Sequence, residues 1–325
     1  MALREQTSTM KALTYREGQL TLQHDEPVPE LRAGQARLKI RRAGLCNTDL
    51  ELVRGYMGFS GILGHEFVAD VVEGSPQWLG RRVAGEINVA CGTCDMCRHD
   101  VPSQCRNRTT VGIDRHPGAF AEYLALDERC LHAIPDHVSD DTAVFVEPLA
   151  AALHVLEATH ILPGQRVVLV GAGKLGLLIA QVVAATGADL VVVSRREKTQ
   201  QLLHHWGIPF ASLEDLPLAQ ADVVIESTGT PEGFIGAMNL VRPRGTMVMK
   251  STFVGLTPAN LTKAVVDEIG LIGSRCGPFD AAIRMLAGGR IDTRSLIDAH
   301  YPIADALTAF KHAQQPGALK IMLDF

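Results

Sequence analysis

The sequence has no surplus of basic charge, no uninterrupted apolar run of membrane length, no leader-like N-terminus and no internal repeat. Across 325 residues, 31 Lys and Arg stand against 36 Asp and Glu, a net charge of -5, and the basic residues are scattered, not striped. That lacks the electrostatic footprint of a nucleic-acid binder. The most apolar stretch, residues 175–193, is interrupted by Gln181, Gly187 and Asp189 and has the helix, break, strand texture of a buried βα unit. No membrane partner is expected. The opening MALREQTST has neither the apolar core nor the cleavage site of a secretory signal, so a reducing cytoplasm is expected. The same nine residues read as a loose extension.

What is present in excess is local. Four of the seven cysteines, Cys91, Cys94, Cys97 and Cys105, fall within CGTCDMCRHDVPSQC at the spacing C-x2-C-x2-C-x7-C. A reducing compartment and an odd cysteine count both disfavour a disulfide framework and favour metal. Four thiolates make a closed tetrahedral zinc site with no position left for substrate, so this segment reads as a fold-stabilising lobe, residues 91–105.

The length and the 46% hydrophobic content allow two domains with full cores. Up to about residue 133 the chain shows short alternating stretches punctuated by Gly and Pro, the texture of an irregular β domain. From Asp140, DTAVFVEPLAAALHVLEATHIL reads as helix, ended by Pro163-Gly164. Then apolar strands RVVLV, DLVVV, ADVVIE, GTMVMK and GLIGS alternate with amphipathic runs, predicting an α/β unit with a parallel sheet covered on both faces. The final AHYPIADALTAFKHAQQPGALKIMLDF predicts one helix and one closing strand that packs back on the first domain.

The sequence VVLVGAGKLGLLIAQ places Gly171, Gly173 and Gly176 as G-x-G-x-x-G between a strand and a helix, with Lys174 and Leu175 inside the loop. The first glycine allows the tight turn, the second a close backbone approach to a pyrophosphate, and the third close packing of helix on strand. The helix N-terminus then faces the anion. At the end of the second strand, VVVSRREK offers Ser194, Arg195 and Arg196 and no acid at the turn. A hydroxyl and two guanidinium groups suit a ribose 2'-phosphate, so NADP(H) is expected over NAD(H), with Glu197 as a complication.

Upstream, AGLCNTDLEL and GILGHEFVADV bring Cys46, His65 and Glu66. A soft thiolate, an imidazole and a hard carboxylate are donor types for a zinc with room for a further ligand. With the landmarks C-x-T-D at Cys46 to Asp49, G-H-E at Gly64 to Glu66, the cysteine lobe and the glycine loop in order, the chain resembles the medium-chain zinc-dependent alcohol dehydrogenases over nearly its whole length. FVEPLAA, with Glu147, resembles the polyol, sorbitol and threonine dehydrogenase branch.

That resemblance implies a GroES-like catalytic domain over residues 1–148 and 292–325 and a Rossmann, doubly wound cofactor domain over 149–291. It implies two zinc ions per chain, the catalytic one held by Cys46, His65 and one or both of Glu66 and Glu147, and more easily lost than the one in the cysteine lobe. Thr48 would accept the alcohol proton. The position three residues further on, often histidine in the family, is Glu51, and Asp49 would orient His65. Thr228 and Gly229 would border the cofactor, and Lys250, Ser251, Thr252 and the run Ser274, Arg275, Cys276 would flank the nicotinamide. Around the substrate, Tyr56, Met57 and Phe59 read either as an apolar wall or as core.

The expected activity is hydride transfer between a small, secondary alcohol or polyol and NADP or NAD. The alternatives are a primary-alcohol dehydrogenase or aldehyde reductase, and a sensor that binds zinc and nucleotide without catalysis. A homodimer or homotetramer is expected, with GTMVMK to LTKAVVDEIG as the candidate interface.

Overall fold

In the computed structural model, which describes residues 9–252, 256–257 and 259–325, the alternating stretches of the first part resolve into short strands. Of the expected nine-residue N-terminal extension, residues 1–8 lie outside the described residues and Thr9 opens the strand Thr9–Arg16; part of the candidate interface, residues 253–255 and 258, also lies outside the described residues. The chain forms two compact units, Met1–Glu147 with Ile283–Phe325, and Pro148–Ala282.

In the first unit, Gln35–Gly44 buries Ala36, Leu38 and Ile40 while Arg37, Lys39 and Arg41 point away, the period of two that a strand imposes. Glu66–Glu73 pairs antiparallel along one edge, and Tyr123–Asp127 and Lys320–Asp324 share the other. Arg82–Gly85 and Leu131–Ala133 extend the sheet on one side. On the other side, Ile297–Pro302 pairs parallel with Lys320–Asp324, a strand the sequence reading did not foresee, and the expected helix lies between them as Ala306–Ala313. Phe120, Phe145, Leu38 and Leu124 are among the fully buried side chains of this irregular β unit.

The predicted helix that links the two textures is broken in two, Asp140–Ala143 and Val146–Ala158. The Ser139 hydroxyl caps the first by accepting from Thr142 N. Pro148 sits in the first turn of the second, where its missing N–H breaks no intrahelical bond.

The second unit is a six-stranded parallel sheet in the order Phe210–Ala211, Asp189–Val193, Arg166–Val170, Ala221–Glu226, Val241–Met249, Gly270–Gly273. Four of the five residues of Arg166–Val170 are buried, as expected of a central strand covered on both faces. The chain winds outward in both directions from that strand, so the strand order reverses between Arg166–Val170 and Ala221–Glu226. This is the doubly wound arrangement, and ligands bind at the carboxyl ends of the strands beside such a reversal. Among the described residues, no helix is long and apolar enough to cross a membrane.

Candidate metal and dinucleotide sites

The four lobe cysteines converge until their sulfurs all lie within 4.8 Å of one another. Cys94 starts the short helix Asp95–Arg98, and its sulfur is 3.5 Å from that of Cys97 and 3.8 Å from that of Cys105. Backbone N–H groups point at sulfur: Cys91 N to Cys105 Sγ at 3.2 Å, Asn107 N to Cys105 Sγ at 3.4 Å, and Thr93 N to Cys91 Sγ at 3.5 Å. Donation from the Thr93 hydroxyl and backbone holds the Cys91 thiol down at about 5, whereas burial and the neighbouring thiols push Cys97 up to about 12. So close a group can lose all its protons only against a cation. The donor set and its N–H contacts fit a four-thiolate zinc, and every one of these cysteines is outside any disulfide.

The second donor set grows from a capping box. Cys46 is the N-cap of Asn47–Leu52, and its backbone N–H donates to Asp49 Oδ2 at 2.8 Å. The other oxygen of Asp49 accepts from Gly64 N at 3.3 Å and lies 3.3 Å from His65 Nδ1. One fully buried carboxylate therefore fixes both the thiol segment and the imidazole segment. Gly64 adopts φ 95°, and a Cβ there would stand 2.3 Å from the Phe120 ring, so only glycine can precede His65.

Burial works against the imidazolium of His65, but the charge and hydrogen bonding of Asp49 and Cys46 prevail and raise its pKa well above 6.5. Donor atoms of Cys46, His65 and Glu66 lie within 4.8 Å of one another, a soft and hard mixture that fits an exchangeable zinc.

Glu66 is also paired with Lys320, and their side chains are 1% and 3% exposed. The Lys320 ammonium reaches Leu45 O at 3.5 Å and lies 5.7 Å from the centre of the Phe145 ring. Burial opposes its charge, yet Glu66, Cys46 and Glu147 together raise its pKa above 10.5. Glu147, half-buried, thus acts on the same ammonium, while standing outside the 4.8 Å group. Gly44 makes the room: a Cβ there would meet Glu66 Oε2 and Lys320 Cδ at 2.9 Å.

Thr48 is half-buried with its hydroxyl 3.7 Å from Cys46 Sγ. Glu51 accepts from Arg54 Nη1 at 2.8 Å, so the outer relay position holds a local ion pair. Of the three residues expected at the substrate, Phe59 is core, Tyr56 is half-buried, and Met57 is 56% exposed.

In the second unit the glycine loop is built as its spacing requires. A Cβ on Gly176 would stand 2.0 Å from Gly171 O, so helix and loop touch there, whereas a Cβ on Gly173 would meet nothing within 4 Å. Gly173 therefore faces open space at the start of the 11-residue helix Lys174–Ala184, a cradle that fits a pyrophosphate. Lys174 and Leu175 form the first turn, both half-buried.

Arg195 and Arg196 are exposed at the end of Asp189–Val193, but Ser194 is buried and bonded to Thr199 Oγ1 at 2.7 Å. Its hydroxyl is therefore turned into the fold, leaving the two guanidinium groups at the surface.

Glu226, unremarked in the sequence reading, is buried at the end of Ala221–Glu226. Its Oε1 accepts from Thr228 N at 2.7 Å, Thr228 Oγ1 at 2.6 Å and Ser251 Oγ at 3.0 Å. Ser251 Oγ in turn accepts from Gly229 N at 2.8 Å. One acid thus shapes the two loops that hold Thr228, Gly229 and Ser251. Lys250 and Ser274 meet at the next strand ends, with Arg275 half-buried beside them.

A thiolate, imidazole and carboxylate set in a GroES-like unit, with a glycine-loop cradle in a Rossmann unit, defines the class as zinc- and dinucleotide-dependent dehydrogenases. Comparison with known proteins agrees. A family model described as the alcohol dehydrogenase GroES-like domain matches residues 32–136, and one described as shikimate / quinate 5-dehydrogenase matches 154–265. An L-threonine 3-dehydrogenase of Shigella sonnei is 30% identical over 330 residues, spanning 93% of this chain and 95% of that protein.

A 2-dehydro-3-deoxy-L-galactonate 5-dehydrogenase of Pseudoalteromonas atlantica is 29% identical, spanning 90% and 92%. A crystal structure described as a zinc-binding dehydrogenase of Sinorhizobium meliloti bound to NADP superposes with a TM-score of 0.88 at 26% identity, covering 98% of this chain and all of that one. The chain belongs to the zinc-dependent medium-chain alcohol dehydrogenase family.

Proposed function

We propose that the protein is a zinc-dependent, NADP-preferring dehydrogenase that interconverts a small secondary alcohol or polyol and its carbonyl. The observation that carries this reading is the convergence of Cys46, His65 and Glu66 within 4.8 Å, braced by Asp49. Relatives named sorbitol dehydrogenase, D-arabitol-phosphate dehydrogenase and L-threonine 3-dehydrogenase support a small alcohol or polyol as substrate here. Zinc supplies Lewis acidity toward the substrate oxygen, and the dinucleotide supplies or takes up the hydride.

The remaining roles belong to the chain. Cys46, His65 and a carboxylate from Glu66 or Glu147 hold the metal, and Asp49 keeps the imidazole presented through Nε2. Thr48 accepts the hydroxyl proton of the substrate. Lys320 moderates the repulsion that two acids and a thiolate would feel in one buried volume. Gly171, Gly173 and the first turn of Lys174–Ala184 receive the pyrophosphate, and Arg195 and Arg196 a 2'-phosphate.

Exposed Leu261, Val265 and Val266 lie on the helix that precedes the edge strand Gly270–Gly273, and that face is the proposed contact with a second copy in a homodimer or homotetramer. The test is a panel of alcohols and carbonyls assayed with NADP(H) and NAD(H), with and without chelator. Chelator-sensitive turnover of a secondary alcohol is expected. Absence of such turnover across a broad panel refutes the proposal.

A further inference from the structure

The turn that presents His65 rests on a second stretch of backbone. Residues 62–64 lead into His65, and residues 118–120 run against them: Gly118 N donates to Ile62 O at 2.8 Å, Ala119 N to Gly64 O at 2.8 Å and Phe120 N to Leu63 O at 2.9 Å. Leu13, in Thr9–Arg16, bridges the two, donating to Phe120 O at 2.7 Å and accepting from Leu63 N at 3.3 Å. Leu13, Leu63, Ala119 and Phe120 are fully buried, so water does not compete for these bonds. Asp49 holds the same turn through Gly64 N.

Two glycines of the second stretch touch the turn where a side chain could not stand. A Cβ on Gly112 would lie 2.2 Å from Gly64 O and 2.8 Å from Gly64 C and N, and one on Gly118 would lie 2.1 Å from Leu63 O and 2.5 Å from Gly64 O. Gly112 also needs its glycine for the backbone, because its φ is 63°, whereas φ at Gly118 is negative and only the contact is at stake. Gly64 O belongs to the planar peptide that ends at His65 Cα. What stops that oxygen therefore stops His65.

We infer that Gly112 and Gly118 are positioning residues for the metal site, an inference that rests on the metal-site reading and deepens it. Their missing side chains let residues 112–120 back directly onto the peptides of Leu63 and Gly64, and so set the depth at which the His65 imidazole meets Cys46. An alanine at 112 requires a displacement of at least 0.8 Å, the difference between 2.2 Å and the 3.0 Å below which Cβ contacts essentially never fall. Whichever backbone yields, the three hydrogen bonds pass the shift on to the turn. Metal-ligand distances tolerate only about 0.2 Å, so a shift of that size is felt at the metal.

The experiment is chelator competition for zinc, on protein whose circular dichroism matches the parent's, with the exchangeable and the tightly held equivalents read separately. Gly112→Ala and Gly118→Ala should each weaken the exchangeable zinc about 10–100-fold, the range for residues that orient metal ligands, and leave the tight equivalent unchanged. Gly18→Ala is the control: φ there is 76° and a Cβ meets nothing within 4 Å, so it carries the backbone strain of Gly112→Ala without the contact. It should lower the melting temperature while holding the exchangeable zinc to within about two-fold of the parent. Where the alanines do not fold, Phe120→Leu decides: it withdraws the ring that backs Gly64, leaves both glycine contacts in place, and should weaken the exchangeable zinc at least about three-fold. A folded Gly112→Ala or Gly118→Ala protein with the parent's affinity overturns the inference. So does a loss that falls on the tight equivalent, a Gly18→Ala loss as large as theirs, or, in place of unfolded alanines, an unchanged Phe120→Leu. A parent with no exchangeable zinc refutes the metal-site reading itself, a result distinct from an unshifted affinity.

Discussion

Replacing Lys320 with Met keeps a stem of similar reach against Phe145 and deletes one charge. Because Lys320 and Glu66 are 3% and 1% exposed, water cannot take over the lost partner's role, and solvent screening does not discount the loss. Removing one member of such a pair costs about 3–5 kcal/mol, most of it the burden of an uncompensated buried carboxylate. In a unit of about 190 residues each kcal/mol moves the melting temperature by about 2–4 °C, so a fall of roughly 6–20 °C is expected.

The assay is thermal unfolding followed by circular dichroism, with and without dialysis of the more exchangeable metal. Zinc replaces part of the missing positive charge, so the deficit should be larger after dialysis. Adding Glu66→Gln to Lys320→Met removes the orphaned charge and should recover more than half of the loss. The pKa of Lys320 is raised in the folded protein above 10.5, so its contribution is full below that pH and is lost only as pH climbs through the raised value. The deficit should therefore be equal at neutral and mildly alkaline pH. A dialysed Lys320→Met protein that melts within about 2 °C of the parent refutes the reasoning. So does a double variant no more stable than the single one.

Five further outcomes are expected. Cys94→Ser should lower the melting temperature and remove one equivalent of zinc, measured by elemental analysis, while the folded fraction keeps its turnover number. Since Asp49 and Cys46 hold the metal-free His65 protonated beyond pH 6.5, zinc must displace a proton, and its affinity should rise with pH until that raised pKa is passed. Asp49→Asn should weaken zinc binding about 10–100-fold in a chelator competition and flatten that pH dependence. Arg195→Ala with Arg196→Ala should cut the NADP over NAD ratio of kcat/KM by about ten-fold or more, and an unchanged ratio would show that the guanidinium pair does not read the 2'-phosphate. Gly176→Ala puts a Cβ 2.0 Å from Gly171 O, and the overpacked loop should lose about 1–3 kcal/mol of stability together with dinucleotide affinity in a fluorescence titration.

Features written in short-range spacing are legible in the chain alone. The cysteine lobe spans fifteen residues and the glycine loop six, and each needs only its immediate neighbours to take shape. The five long parallel strands were legible for the same reason, since a run such as RVVLV has no polar face to offer water. Phe210–Ala211 was not, because two residues carry no period.

What stayed hidden are the pairings across the chain. Nothing near Glu66 announces Lys320, 254 positions away, and nothing about Gly44 says that its missing side chain leaves room for that pair. The arginines beside Ser194 suggest a hydroxyl facing a phosphate, yet Thr199, five residues on, draws that hydroxyl inward. Glu226 carries no signal in the sequence, because a carboxylate at a strand end resembles any surface acid until the fold brings it its donors.

The strand Lys320–Asp324 also orders events in time. During synthesis the unit Pro148–Ala282 is complete once residue 282 has emerged, and it can fold as a continuous piece. The unit that holds Cys46, His65 and Glu66 cannot: its central strand Gln35–Gly44 waits for Lys320–Asp324, which is made after all of Pro148–Ala282, and Glu66 waits for its ammonium. Until then the nascent site has acids and a thiol without a counter-charge. The dinucleotide unit is therefore expected to be native before the metal site acquires its final geometry, and a ribosome-bound chain lacking residues 320–325 should show the first without the second.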